Sequence, residues 1–239
     1  MKPMNIKKHI PNLITLLNLF SGCIALVYAS QENFEMAFFF VCLGIFFDFF
    51  DGFFARLFNV SSPLGLQLDS LADMVTSGVV PGFVMFKMLT NSVNSDPSLI
   101  YLPYFGFIIT LGSCYRLANF NIDTRQSDQF IGVPTPANGL LVASLPLILH
   151  FQPEFSLYIL HFKGLLIYSI LMSYLLVSEL PLMAFKFKSW GWEANQMRYL
   201  FLIYCVAILL LLKFAAFPIL VVSYIVLSFI LSLLNIKQK

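Results

Sequence analysis

Residues 44–78 read GIFFDFFDGFFARLFNVSSPLGLQLDSLADMVTSG, and four aspartates, Asp48, Asp51, Asp69 and Asp73, stand in this stretch among phenylalanines and leucines. Inside lipid each carboxylate costs about 2.5–3.5 kcal/mol to insert, so the four together approach the stability of a whole domain. They must therefore lie near an interface, in a polar cavity or on cations. At roughly 100° per residue, Asp48 and Asp51 fall about 60° apart on one helix face, and Asp69 and Asp73 about 40° apart on another. Between the two pairs runs Asn59-Val60-Ser61-Ser62-Pro63, a turn in which Ser62 suits a helix N-cap and Pro63 the first helical position. Counted outward from that turn, Asp51 and Asp69 are level, and Asp48 and Asp73 are level one turn deeper. An antiparallel hairpin thus gathers four carboxylates just below one membrane surface.

The rest of the chain makes the membrane its solvent. Of 239 residues 59% are hydrophobic, 11% are charged and 27 are Phe. The mean hydropathy is +0.84. Such a composition excludes a secreted domain, a disordered tail and a basic nucleic-acid binder, and no nucleic-acid partner is expected. Eight segments can span a bilayer, near 11–30, 34–58, 64–90, 99–120, 136–152, 163–185, 197–214 and 216–236. The expected fold is all-α: one polytopic membrane domain over 1–239, with a catalytic helical hairpin at 34–90 and no soluble domain. The basic start and the VYA before Ser30 resemble a cleavable leader, but a retained first helix carrying Asn12, Thr15 and Asn18 fits better.

Orientation follows from the cations. With a cytoplasmic N-terminus and eight spans, Lys2, Lys7, Lys8, Arg56, Arg116, Arg125, Lys186, Lys188, Arg198, Lys237 and Lys239 lie on the cytoplasmic side. Only Lys87, Lys163 and Lys213 lie opposite. Both termini and the site are then expected at the cytoplasmic face of an inner membrane, with Trp190 and Trp192 as interfacial anchors. Cys23, Cys42, Cys114 and Cys205 are scattered through apolar runs and read as packing residues.

Four clustered aspartates cannot all stay ionised without cations. Oxygen ligands suit Mg²⁺ or Mn²⁺, and two ions are the natural reading. Gly52, Ala55 and Gly65 lie one helical turn from Asp48, Asp51 and Asp69 respectively, and leave room for a bulky ligand. Arg56 can balance the acids or touch a phosphate. Arg116, at the cytoplasmic end of the fourth span, is either a positive-inside anchor or a ligand contact with Asn121 in support. Asn12, Thr15 and Asn18 recur on one drifting face of the first span, as ligand contacts, as interhelical hydrogen bonds or, for Asn12, as a cap. Arg125, Thr135 and Asn138 are weaker candidates. On these residues alone a divalent-cation carrier remains an alternative, although a carrier needs polar groups through both leaflets.

The pattern Asp48-x2-Asp51-Gly52-x2-Ala55-Arg56-x8-Gly65-x3-Asp69-x3-Asp73 resembles the signature of the CDP-alcohol phosphotransferase family in every fixed position and gap. The resemblance implies a helical membrane core, a homodimer, and transfer of a phosphatidyl group from a CDP-linked lipid to an alcohol with release of CMP. It implies that the four aspartates share two divalent ions and that Asp73 is the base on the incoming hydroxyl. It also implies that Gly52, Ala55 and Gly65 line the cytidine pocket, and Arg56, Asn12 and Thr15 are candidate polar contacts for the same nucleotide. Further on, CYRLANFNID and QFIGVPTPANG look like the bacterial and archaeal serine-using branch, whose RLARFN-like stretch has arginine where Asn119 stands here. That branch implies CDP-diacylglycerol and L-serine as substrates, with Arg116, Asn121 and Asn18 nearest the serine. Other members of the family use glycerol 3-phosphate or inositol-type acceptors. A phosphorylated acceptor calls for several basic residues, and only Arg116 and Arg125 are near.

Overall fold

The computed structural model describes residues 9–60, 62–93, 99–123, 130–159, 161–182 and 191–233. Eight long helices run through them: α1 (Ile10–Ser30), α2 (Phe34–Leu57), α3 (Pro63–Ser92), α4 (Ile108–Ile122), α5 (Thr135–Phe151), α6 (Phe162–Val177), α7 (Trp192–Leu212) and α8 (Ala216–Leu233). Ile10–Ser30, Phe34–Leu57, Pro63–Ser92 and the stretch Asn195–Ser232 are long and apolar enough to cross a bilayer, and α5 and α6 are shorter apolar helices. The protein is a polytopic helical membrane protein, as its composition requires.

Helix α3 is the axis of the bundle. Of its most apolar window 61% is buried, against 33% for α1, 22% for α2 and 17% for the α7–α8 stretch. Helix α5 shares the centre, burying a nearly continuous run from Leu141 to Ile148. The other helices present one side to this pair and the other to lipid, which is why Phe20, Phe46, Phe49, Leu111 and Leu210 remain exposed.

Local chemistry sets the helix ends. Ser62 Oγ accepts from Gly65 N at 3.0 Å and Pro63 occupies the first turn of α3, the start expected for it. Asn33 caps α2 in the same way, accepting from Met36 N at 3.2 Å. Between Asp73 and Pro81 the α3 ladder widens into a π-helical segment, Met74–Val79. Lys213, at φ +49°, reverses the chain between α7 and α8, and Phe201 meets Tyr224 across that antiparallel pair.

Two expected boundaries move. The sixth span ends at Val177, not near 185, because the residue before Pro181 is disfavoured in a helix. Beyond it Pro181–Leu182 pairs antiparallel with Phe130–Ile131, a two-residue strap unforeseen in an all-α reading. The fourth span begins as a 3₁₀ segment, Leu102–Phe107, and becomes α-helical only at Ile108. Helix α1 starts at Ile10 without a side-chain cap, so Asn12 is not its cap.

At one end of the bundle Lys87 pairs with Glu32 and His150 with Glu35, each at 3.2 Å. The aspartates, Arg56 and Arg116 sit toward the other end. Lys2, Lys7, Lys8, Arg125, Lys186, Lys188, Trp190, Lys237, Lys239 and the side chain of Trp192 lie outside the described residues.

The crossing of α1, α2 and α3 leaves no room for added side-chain atoms. A Cβ on Gly22 would stand 2.5 Å from Thr76 Oγ1, and one on Gly44 would stand 2.6 Å from Thr76 Cγ2 and 2.8 Å from Asn18 Oδ1. Gly44→Ala is therefore expected to destabilise the bundle by about 1–3 kcal/mol through overpacking. Gly164, whose added Cβ meets nothing closer than 3.8 Å, is the control. In detergent melts Gly44→Ala should lower the midpoint and Gly164→Ala should not.

Candidate active site

Helix α3 folds back along α2 and brings three of the four expected carboxylates into one cluster. Asp48, Asp51 and Asp69 each offer one oxygen, and these oxygens lie within 4.8 Å of one another. Asp51 and Asp73 are buried, at 7% and 8% exposure, and Asp48 and Asp69 are half-buried. Among the described residues no Lys or Arg forms an ion pair with any of the four. Acids this close, this buried and this poorly compensated fit a divalent cation. Asp73 stands beside the three, outside the 4.8 Å cluster, and carries different hydrogen bonds.

Those bonds come from α1. Thr15 Oγ1 lies 2.5 Å from Asp51 Oδ2 and 3.0 Å from the carbonyl of Pro11. Asn18 Nδ2 donates to Asp73 Oδ1 at 3.1 Å. The two side chains sit about 60° apart around the helix, close enough for one face of α1 to serve both carboxylates. Fully buried, Asn18 spends its amide on protein partners: Thr76 Oγ1 donates to its Oδ1 at 2.8 Å. Thr76 was invisible to the pattern of acids. Its only sequence signal is a run of small polar residues, Thr76-Ser77-Gly78, inside an apolar span.

Beside Asp51 and Asp69 opens a cavity of about 200 Å³. Gly52, Ala55 and Gly65 line it on the hairpin side, and Asn12 and Thr15 on the α1 side. Five of the six positions read as nucleotide contacts thus share one cavity wall. The sixth, Arg56, reaches back over Gly52, where an added Cβ would lie 3.4 Å from its Nη1. A Cβ on Gly65 would come within 3.2 Å of Asn12 Oδ1, so side chains at these two glycines would shrink the cavity.

The acceptor candidates separate. Arg116 is buried at 8% exposure, donates from Nη1 to Thr135 Oγ1 at 2.9 Å and lies 5.8 Å from the Phe120 ring centre. Among the described residues its Nε has no hydrogen-bond partner, and neither polar atom of the buried Asn138 has one. Arg116 and Asp73 are near enough to interact electrostatically. Asn121, about 140° around α4 from Arg116, instead exchanges hydrogen bonds with Ser70, next to Asp69, at 2.9 and 3.2 Å. It ties α4 to α3 and is not on the face of Arg116. Thr135, which orients Arg116, is more central than its place among the weak candidates implied.

The sequence profile of the CDP-alcohol phosphatidyltransferase family matches residues 8–175 of this chain. Similar curated proteins carry the name CDP-diacylglycerol–serine O-phosphatidyltransferase. The one from Bacillus subtilis is 38% identical over 141 residues, covering 57% of this chain and 75% of that protein. That of Helicobacter pylori (strain J99) is 37% identical over 142 residues, covering 59% and 58%. That of Saccharomyces cerevisiae is 35% identical over 153 residues, covering 57% and 53%. The chain thus matches three quarters of the Bacillus protein and little more than half of the other two.

A cation at the three clustered oxygens gives a direct test. Asp48→Asn or Asp69→Asn should weaken Mn²⁺ binding, followed by electron paramagnetic resonance, by more than about tenfold, since affinity follows ligand charge. Unchanged affinity in both would remove the cluster as the metal site.

Proposed function

The chain belongs to the CDP-alcohol phosphatidyltransferase family, and from that premise we propose that it transfers a phosphatidyl group from CDP-diacylglycerol to L-serine, giving phosphatidylserine and CMP. The observation that carries this reading is the meeting of three carboxylate oxygens beside a cavity walled by Gly52, Ala55 and Gly65. The names of the relatives supply the acceptor, serine.

The serine Oγ attacks the diacylglycerol-side phosphorus of the pyrophosphate. A new Oγ–P bond forms, the bridging P–O bond to the cytidylate breaks, and CMP leaves with the bond's electron pair. Asp73 accepts the serine proton. Divalent ions held by Asp48, Asp51, Asp69 and Asp73, read as two Mg²⁺ or Mn²⁺, supply neutralising charge for the pyrophosphate and the leaving CMP. Gly52, Ala55 and Gly65 give the cytidine its space, Asn12 and Thr15 add polar contacts, and Arg56 lies at the edge for a phosphate oxygen. Arg116 offers the unpartnered N–H that a serine carboxylate needs, beside the electrostatic reach of Asp73.

Residues 1–239 act as one integral membrane domain in this reading, with 34–90 as its catalytic hairpin. The site opens toward the cytoplasm in an inner membrane, both termini are cytoplasmic, and the working unit is a homodimer. That placement keeps acyl chains in lipid while nucleotide and serine come from water.

Purified protein given CDP-diacylglycerol, Mn²⁺ or Mg²⁺ and a panel of alcohols should release CMP with serine. Release with another alcohol and none with serine would overturn the acceptor. Asp73→Asn should lower kcat by about 10²–10⁴-fold while nucleotide binding persists, the range expected for loss of a general base. Arg116→Ala should raise the KM for serine more than that for CDP-diacylglycerol; an unchanged serine KM would make Arg116 a membrane-interface anchor.

A further inference from the structure

Asp73 does not meet α1 through a single hydrogen bond but through a two-link chain that runs back to its own helix. Asn18 Nδ2 donates to Asp73 Oδ1 at 3.1 Å, and Thr76 Oγ1 donates to Asn18 Oδ1 at 2.8 Å. Asn18 and Thr76 are fully buried, so no bulk water can replace either partner. The direction of the chain is set chemically. An ionised carboxylate only accepts, so the amide must turn Nδ2 to Asp73 and Oδ1 away. Oδ1 then needs a donor, and the hydroxyl of Thr76 is the one in reach.

The helices are shaped around this hydroxyl. Thr76 lies in the π-helical segment that begins directly after Asp73, a distortion frequent at functional sites. Gly22 of α1 and Gly44 of α2 close on it from two sides, each with no room for a Cβ. The same hydroxyl lies 3.1 Å from the backbone carbonyl of Asn18, so both oxygens within its reach belong to one residue. Asn18, read from sequence as a serine contact, is thereby committed to the carboxylate.

We propose that Thr76 is a positioning residue for the transfer reaction. It locks the Asn18 amide, which holds Asp73 Oδ1 and leaves Oδ2 turned to the acceptor hydroxyl. The proposal rests on the reading of Asp73 as base. Without the Thr76 hydroxyl, Asn18 Oδ1 is a buried acceptor with no donor, the amide is free to rotate, and the carboxylate loses its fixed orientation. Misplacement of a catalytic group lowers turnover far more than it lowers substrate binding.

The test compares Thr76→Val, which removes the hydroxyl at nearly constant shape, with Thr76→Ser, which keeps it. Thr76→Val should lower kcat by about 10–100-fold with the KM for CDP-diacylglycerol within about twofold, and Thr76→Ser should restore kcat to within about threefold of the parent. Mn²⁺ affinity, measured without substrate, should fall by no more than about threefold in both, because three of the four carboxylates read as ligands, Asp48, Asp51 and Asp69, cluster without Asp73, the one that Thr76 reaches through Asn18. If Thr76→Val does not fold, Thr76→Ala takes its place in the comparison. Full turnover in the Val or Ala variant, equal turnover in Ala and Ser, or Mn²⁺ affinity falling in step with kcat would each overturn the proposal. Full turnover in Thr76→Val while Asp73→Asn is dead defeats only the positioning role; an active Asp73→Asn defeats the base itself.

Discussion

Charge inside a lipid-solvated bundle has to be neutralised where it stands, and in this chain that demand falls on one hairpin. Asp48, Asp51 and Asp69 bring oxygens within 4.8 Å of each other without a Lys or Arg paired to them among the described residues. Mutual repulsion and poor solvation would drive such a group apart or leave it protonated unless cations hold it. The most buried of the four long spans, α3, carries two of the four acids, and its start is capped by Ser62 and stiffened by Pro63. Stability is thus surrendered locally to keep reactive groups in fixed register, and the apolar crossing of α3 and α5 offsets it.

Around the hairpin each neighbouring helix supplies a different kind of polar group. Helix α1 brings a hydroxyl to Asp51 and an amide to Asp73, and α4 brings Arg116 and Asn121 on separate faces. The small residues form two sets with opposite uses. Gly52, Ala55 and Gly65 leave a cavity open beside the acids, whereas Gly22 and Gly44 close space so that three helices meet at Thr76. Room for a bulky ligand needs the first set, and a rigid carboxylate needs the second.

Much of this was legible because it is local. Apolar length located six of the eight helices to within about five residues, missing the start of the fourth and the end of the sixth, and helical periodicity with a short turn was enough to align Asp51 with Asp69. The cavity beside the acids followed from the same periodicity, since Gly52, Ala55 and Gly65 lie one turn from an aspartate. Contacts between distant segments were not legible. Asn18 meets Asp73 across 55 residues and Asn121 meets Ser70 across 51, and each depends on how one helix is rotated against another. No pattern within a single helix encodes that rotation, so Asn18 read as a ligand contact and Asn121 as a neighbour of Arg116. The strap between Phe130–Ile131 and Pro181–Leu182 escaped for a related reason: two residues are too few to show an alternating pattern.

The claim at the centre of this chemistry is that the aspartates hold cations and move a proton while none becomes a nucleophile. The stereochemistry at the transferred phosphorus tests it most directly. CDP-diacylglycerol made chiral with oxygen isotopes at the diacylglycerol-side phosphorus would be converted to phosphatidylserine with serine and Mn²⁺, and the product configuration read by phosphorus NMR. A single direct attack by the serine hydroxyl predicts inversion. Retention would require two displacements through a covalent phosphatidyl-enzyme, and would contradict the role assigned here to Asp73 and its three neighbours.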